Sequence, residues 1–205
     1  MEIIHMEKKF LASSSPHIRS KANTRDIMRD VVIALMPALI AGVYFFRLKA
    51  LLVILVTVAA CIAAEYVCNI AMKKKQTIGD YSAAITGILL AFNLPPSIPL
   101  WIAALGGVFA IVIVKQLFGG LGHNFMNPAL AARAFMLASW PVQMTAWTSP
   151  IDTLATATPL AMIKKGGEVY EGVLPSYINL FSGNVAGCIG ETSVLALLLG
   201  AAYLI

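Results

Sequence analysis

Apolar residues along this chain gather into long blocks, with polar residues punctuating them. A first block covers about 26–46, from Asp26 to Phe46, with Pro37 inside it, and Arg47 and Lys49 close it. A second covers about 50–72 and ends at Lys73, Lys74 and Lys75. A third, shorter block covers about 81–94 and stops at Pro95 and Pro96. A fourth covers about 98–114 and ends at Lys115, after which comes a glycine-rich stretch, FGGLGHNFMNP. A fifth covers about 128–140 and breaks at Pro141. Residues 142–186 are mixed, rich in Thr, Pro and Gly, and a sixth block begins near Gly187 and is still running at Ile205. A helix rises about 1.5 Å per residue, so about 20 apolar residues cross a hydrocarbon layer of about 30 Å. The pattern predicts an all-α, polytopic transmembrane protein. The blocks at 81–94 and 128–140 are short for full spans and predict half-helices that meet in mid-membrane.

Composition sharpens this picture. Hydrophobic residues make up 59% and charged residues 12% of the chain, the latter about half the usual share. That excludes a disordered chain and a nucleic-acid-binding arm. The net charge of +5 matters through its placement. Lys8, Lys9, Arg19, Lys21 and Arg25 precede the first block, three lysines follow the second, and Lys115 follows the fourth. The opposite loops hold Arg47 and Lys49, then Lys164 and Lys165 in a longer segment. By the positive-inside rule the N-terminus is cytoplasmic and 142–186 faces outward. Cys61, Cys68 and Cys188 form no C-x-x-C pair. An iron–sulfur site with four cysteine ligands from this chain alone is thus excluded, and a disulfide framework is not expected.

Four regions follow: a cytoplasmic segment 1–24, a first transmembrane repeat 25–141 of about five spans, an extracytoplasmic segment 142–186, and the start of a second repeat at 187–205. The repeat rests on IGDYS (78–82) and IGETS (189–193), which agree at four of five positions when Asp and Glu are equated. The first opens an apolar run from the cytoplasmic side and the second from the outer side, as an inverted repeat requires. Thr77 and Asp80 also fit a capping box. A plainer reading has Asp80 and Glu191 as caps lying on helix macrodipoles. Ile205 lies inside an apolar run without a polar exit, so the pattern predicts that the natural protein continues through further helices.

Three places offer chemistry. In GGLGHNFMNPALAAR (119–133), glycines let backbone approach a planar ligand, and Asn124 and Asn127 offer amide donors and acceptors that suit the pyrimidine edge of a flavin. The same residues also read as a glycine-rich turn with Asn127 as N-cap and Pro128 at the first helical position. His123 has no companion of metal-ligating type and reads as an interfacial polar residue. In DTLATATPL (152–160), Thr153, Thr156 and Thr158 supply hydroxyls outside a packed helix, either as a modification site or as a plain Thr/Ala-rich loop. Glu65 falls inside the second block, where a carboxylate is expensive and marks an ion pathway or a polar pair. Snorkelling, or pairing with a neighbouring chain, is the alternative there. Cys61 and Cys68 read as small packing residues.

Together SSSPHIRS, TRDIMRDVVIALMPA, GDYSAAITGILLAFNLPP, GGLGHNFMNPALAARAFMLASWP, ATATPLAMIK and IGETS resemble the RnfD/NqrB family of ion-translocating oxidoreductase membrane subunits. The family has one branch in the Rnf complex and another in the sodium-translocating NADH:quinone reductase. The resemblance covers essentially the whole chain, and the short N-terminal lead favours the Rnf side. It implies a fold like urea and ammonium channels, with inverted repeats of five helices. It also implies FMN joined through its phosphate to a threonine, by a flavin transferase using FAD. On the family pattern Asp152 takes the Asp position, Ala157 the Ala, Thr158 the acceptor and Leu160 the Leu. Ala155 stands where the pattern has a hydroxyl residue and Thr156 where it has Gly. The intact Ala-Thr-x-Leu part favours Thr158 over Thr156. A noncovalent riboflavin is further implied at Asn124 and Asn127.

The implied function is electron relay in a ferredoxin:NAD+ oxidoreductase of the bacterial inner membrane, coupled to Na+ or H+ transport. Rnf subunits A, B, C, E and G would be partners, with Glu65, Asp80 and Glu191 as ion-pathway candidates. The rivals are the quinone-reductase homologue, a permease or channel without redox role, and a structural anchor for redox subunits.

Overall fold

The computed structural model describes residues 23–150, 158–164 and 175–205. These residues form helices: α1 (Thr24–Ala71), a 3₁₀ turn (Ile78–Asp80), α2 (Ser82–Phe92), α3 (Leu100–Phe109) running into a π-helical stretch (Ala110–Gln116), α4 (Pro128–Ser139), α5 (Pro141–Met144), α6 (Pro159–Lys164), α7 (Tyr177–Ser182) and α8 (Val194–Leu204). The all-α expectation holds over the described residues.

The first two apolar blocks form one helix of 48 residues, long and apolar enough to cross a membrane, broken at Arg47. Arg47 takes φ 56°, ψ −143°, a conformation that side chains other than glycine rarely adopt. The break falls where Arg47 and Lys49, both exposed, interrupt the apolar run.

α2 is 11 residues long, about half a bilayer at 1.5 Å per residue. It is buried on nearly every face, with Ser82, Ala83, Ile85, Thr86, Gly87, Ile88, Leu90, Ala91 and Phe92 all inside. Close approach to α1 explains Gly87, where a Cβ would lie 2.7 Å from the Val58 Cα. Small residues at such contacts let membrane helices pack backbone to backbone. The helix ends at Asn93, whose amide donates to the Leu89 carbonyl at 2.8 Å, just before Pro95 and Pro96.

The break after α2 meets the break before α8. Ile189 N–H donates to the Leu94 carbonyl and Gly190 N–H to the Phe92 carbonyl, each at 3.1 Å. Arg133 on α4 braces the crossing, donating to Asn93 Oδ1 at 2.9 Å and to Cys188 Sγ at 3.8 Å. Non-helical backbone at membrane depth survives only where protein satisfies it, and here each break supplies partners for the other. α8 then runs back along the first half of α1. A Cβ on Gly42 would lie 2.6 Å from the Ile189 carbonyl, and one on Gly200 would collide with the Ala34 carbonyl. α2 runs from the level of Lys115 up to Gly190, whereas α8 runs from Ile189 down to Ala34. IGDYS and IGETS therefore open helices of opposite sense.

Candidate functional site

Three cavities and one buried polar cluster collect the candidate residues. The cluster is built around Glu65 on α1 and Lys115 at the end of the fourth apolar block. Lys115 Nζ donates to Glu65 Oε2 at 2.9 Å, and the two side chains are 3% and 1% exposed. The other carboxylate oxygen, Oε1, accepts from Thr77 Oγ1 at 2.6 Å and Gln116 Nε2 at 3.3 Å. Asn69 Nδ2 donates to Thr77 Oγ1 at 3.0 Å. Lys115 also donates to Ser82 Oγ at 2.6 Å, and that hydroxyl donates to Asp80 Oδ1 at 2.6 Å. A continuous chain thus links two carboxylates through one ammonium. No buried polar side-chain atom among the described residues lacks a partner, as a low-dielectric interior demands.

This geometry corrects four expectations. Lys115 is not a loop cation marking the cytoplasmic side, because it turns inward to neutralise Glu65. The partner of Glu65 lies in its own chain, so neither snorkelling nor a neighbouring protein is needed. Thr77 and Asp80 do not form a capping box. The Thr77 hydroxyl is committed to Glu65, while Asp80 Oδ1 accepts from Ser82 N–H at 2.9 Å and so ties down the start of α2. Glu191 likewise does not cap α8. Its Oε1 accepts from Cys188 N–H at 3.0 Å in the preceding turn, and Ser193 Oγ accepts from Ala196 N–H to cap the helix.

The first cavity, of about 150 Å³, is lined by Ser82, Thr86, Lys115, Asn124, Asn127 and Pro128 among others. Asn127 Oδ1 accepts from Ala129 N–H at 2.9 Å and Leu130 N–H at 3.3 Å, with Pro128 opening α4. The capping reading of Asn127 is therefore correct. It leaves the Asn127 amide N–H groups without a partner among the described residues. Asn124 is the complement: its Nδ2 donates to the Met126 carbonyl at 2.8 Å, which leaves its oxygen as an acceptor. Gly119, Gly120 and Gly122 take positive φ of 113°, 99° and 85°, the freedom a turn this tight needs. A neighbouring cavity of about 230 Å³ is lined by Glu65, Asn69, Lys74, Lys75, Thr77, Asp80, Gln116 and His123. Lys115 and Ser82 line the first cavity and bond to Glu65 and Asp80, which line the second, so they stand between the two.

A third cavity, of about 530 Å³, is lined by Thr158, Trp147, Leu160, Leu180, Glu191 and Thr192 among others. That volume lies within the usual range of small-molecule pockets. It brings Thr158 together with Glu191 of the IGETS motif. Asp152 and Ala157, with Thr156, lie outside the described residues. Among the described residues no group of three His, Cys, Asp or Glu side chains is placed to hold a metal ion.

Cys61 is buried against α3, its thiol donating to the Gly107 carbonyl at 3.6 Å. Sequence reasoning missed Lys115, Ser82 and Arg133 as partners. No sequence signal singled out Lys115, which closes an apolar block where a lysine facing water looks the same.

Comparison with known proteins gives the same direction. The family described as "NQR2, RnfD, RnfE family" matches residues 11–205. The chain is 54% identical over 203 residues to the D subunit of the Na(+)-translocating ferredoxin:NAD(+) oxidoreductase complex of Acetobacterium woodii, covering 97% of this chain and 63% of that protein. It is 43% identical over 205 residues to the D subunit of the proton-translocating ferredoxin:NAD(+) oxidoreductase complex of Clostridium ljungdahlii, covering 96% and 62%. It is 41% identical over 165 residues to the D subunit of the ion-translocating oxidoreductase complex of Vibrio cholerae, covering 80% and 47%. The chain thus spans less than two thirds of the length of these relatives.

Proposed function

The chain belongs to the NQR2, RnfD, RnfE family, and we propose that it is the flavin-carrying membrane subunit of an ion-translocating ferredoxin:NAD+ oxidoreductase of the Rnf type. The observation that carries this reading is Thr158 at the wall of a cavity of about 530 Å³. A threonine hydroxyl can carry FMN as a phosphoester. A flavin transferase would supply FAD, the Thr158 oxygen would replace the adenylate on the flavin-proximal phosphorus, and the hydroxyl proton would be lost. The residues present fit the group. Trp147, Leu160 and Leu180 give apolar walls, while Thr192 and Glu191 place polar groups among them. When bound, FMN supplies electron-transfer chemistry between the redox centres of partner subunits. The chain's own part is to hold the ring, orient it and exclude water.

The cavity at Asn124 and Asn127 fits the polar edge of a second, noncovalent flavin, riboflavin. An Asn127 donor, an Asn124 acceptor and the Lys115 ammonium converge there. At about 150 Å³ the cavity takes only that edge, below the usual size for a whole ligand. In this reading the N-terminus is cytoplasmic and the Thr158 segment faces outward, so the two flavins serve opposite sides. Rnf subunits A, B, C, E and G are the proposed partners, in a bacterial inner membrane. Glu65, Asp80 and Glu191 are the candidate ion-pathway carboxylates. The relatives' names give sodium in one case and proton in another, so the transported ion is itself a readout.

Assaying the purified complex with ferredoxin plus NAD+, against NADH plus quinone, tests the activity. Turnover only with NADH and quinone would move the chain to the quinone-reductase branch. The permease reading accounts for the crossed half-helices but leaves the Thr158 cavity without a role. A complex containing the full-length chain that moves an ion without any flavin would support that reading. Normal electron transfer in a Thr158→Ala variant would instead favour the structural anchor.

A further inference from the structure

We propose that a cavity beside Arg47, separate from those described above, binds the phosphodiester headgroup of an anionic phospholipid. The proposal does not depend on where a flavin sits.

Depth points to a headgroup. α1 has 48 residues and breaks at Arg47. Each side of the break is therefore about one hydrocarbon thickness long at 1.5 Å per residue, which puts Arg47 at a membrane face. The cavity there, of about 580 Å³, is lined by Tyr44, Phe45, Arg47, Asn179, Ser182 and Asn184 among others. That volume lies within the usual range of small-molecule pockets.

Charge points to an anion. None of the ion pairs among the described residues involves Arg47, and no carboxylate among the described residues lines the cavity. The guanidinium fork of Arg47 can therefore meet two phosphate oxygens at once. Asn179 and Asn184, both half-buried, add side-chain amide donors on the facing wall. They are held together by the turn that ends α7, where the Asn179 carbonyl accepts from both Gly183 N–H and Asn184 N–H at 3.0 Å. Gly183 takes φ 106° to make that turn, a conformation glycine reaches without steric cost. The Arg47 backbone, at φ 56° and ψ −143°, lies in a region nearly reserved for glycine, and strain of this kind clusters at ligand clamps.

The rims point to a lipid rather than a soluble anion. Tyr44 lies nearly one turn before Arg47 and is exposed, with Ile40 exposed on the same helix face. Across the cavity, α7 exposes Tyr177, Ile178 and Phe181 while Asn179 and Ser182 line the polar floor. Exposed aromatic and apolar side chains around a cationic pocket suit acyl chains beside a headgroup, as in the aromatic belts of membrane proteins.

The test uses the full-length chain in its purified, delipidated complex. It is photolabelled with a phosphatidylglycerol carrying a diazirine next to the headgroup, and labelled peptides are mapped by mass spectrometry. Wild type should be labelled within 40–48 or 177–184. Unlabelled phosphatidylglycerol should compete severalfold better than phosphatidylcholine. Arg47→Gln should weaken labelling about tenfold, the effect of losing one charge-assisted contact. Arg47→Gly should weaken it as much while relieving the backbone, so it carries the test if Arg47→Gln fails to assemble. Lys49→Gln, whose side chain lines a different cavity with Pro96 and Ser97, should leave labelling unchanged. Labelling that survives in both Arg47 variants, or that falls equally in Lys49→Gln, would overturn the site. Equal competition by phosphatidylcholine would overturn the preference for an anionic lipid. Inorganic phosphate competing as well as phosphatidylglycerol would assign the cavity to a soluble anion and overturn the lipid.

Discussion

Replacing Lys115 by methionine removes one half of a buried ion pair and keeps most of the side-chain volume. Both side chains are almost fully enclosed, at 3% and 1% exposure. In Lys115→Met, Glu65 keeps its bonds from Thr77 and Gln116 but loses the only cation that reaches it among the described residues. Breaking a buried pair in this way costs about 3–5 kcal/mol, most of it the penalty for the charge left behind. For a chain of this size each kcal/mol moves the unfolding midpoint by about 2–4 °C, so the expected drop is roughly 6–20 °C. Removing both charges, as Glu65→Met with Lys115→Met, leaves no orphan charge and should recover most of that loss, because apolar replacements of buried pairs are often neutral. The assay is the apparent unfolding temperature of the detergent-purified complex, followed by tryptophan fluorescence at one scan rate, since such unfolding is usually irreversible. A Lys115→Met protein within about 2 °C of wild type would refute the reasoning, given the shift expected above. So would a double variant less stable than the single one.

Other positions give independent checks. Gly87→Val should cost about 1–3 kcal/mol or more, because its Cβ would press on the Val58 backbone, an overpacking penalty seen as loss of folded protein on size-exclusion chromatography. Arg133→Leu strips the crossing of its brace at Asn93 and Cys188. It should lower the melting temperature more than Arg133→Lys, which keeps one donor near Asn93. Asn127→Ala should cost about 1 kcal/mol for the lost cap and also lower noncovalent flavin content. Asn127→Asp keeps the cap oxygen but loses the donor, so it should lower flavin content with little loss of stability.

The helical spans and their breaks were legible because they rest on local signals. Arg47 with Lys49, Pro95 with Pro96, and Asn127 with Pro128 each mark a boundary by charge, missing N–H or cap chemistry, and each boundary is where the structure has it. The short block at 81–94 forms the short helix α2, which ends before Pro95 and Pro96. The pair of Glu65 and Lys115 was not legible. Its members stand 50 residues apart, and a lysine at the end of an apolar block looks the same whether it faces water or turns inward. The π-helical stretch that turns it inward has no composition signature in AIVIVKQ. Thr77 misled for a related reason. Its spacing to Asp80 fits a capping box, but a buried carboxylate is a stronger claim on a hydroxyl than a helix end exposed to water.

The most direct test of the account is whether the full-length chain carries FMN at Thr158. The protein is purified from cells with an active flavin transferase, denatured, and viewed on a gel under ultraviolet light. The peptide spanning 142–175 is then mapped by mass spectrometry. The account predicts a fluorescent band and an FMN phosphoester on Thr158, both lost in Thr158→Ala. An unmodified peptide, or fluorescence that survives in Thr158→Ala, would contradict it.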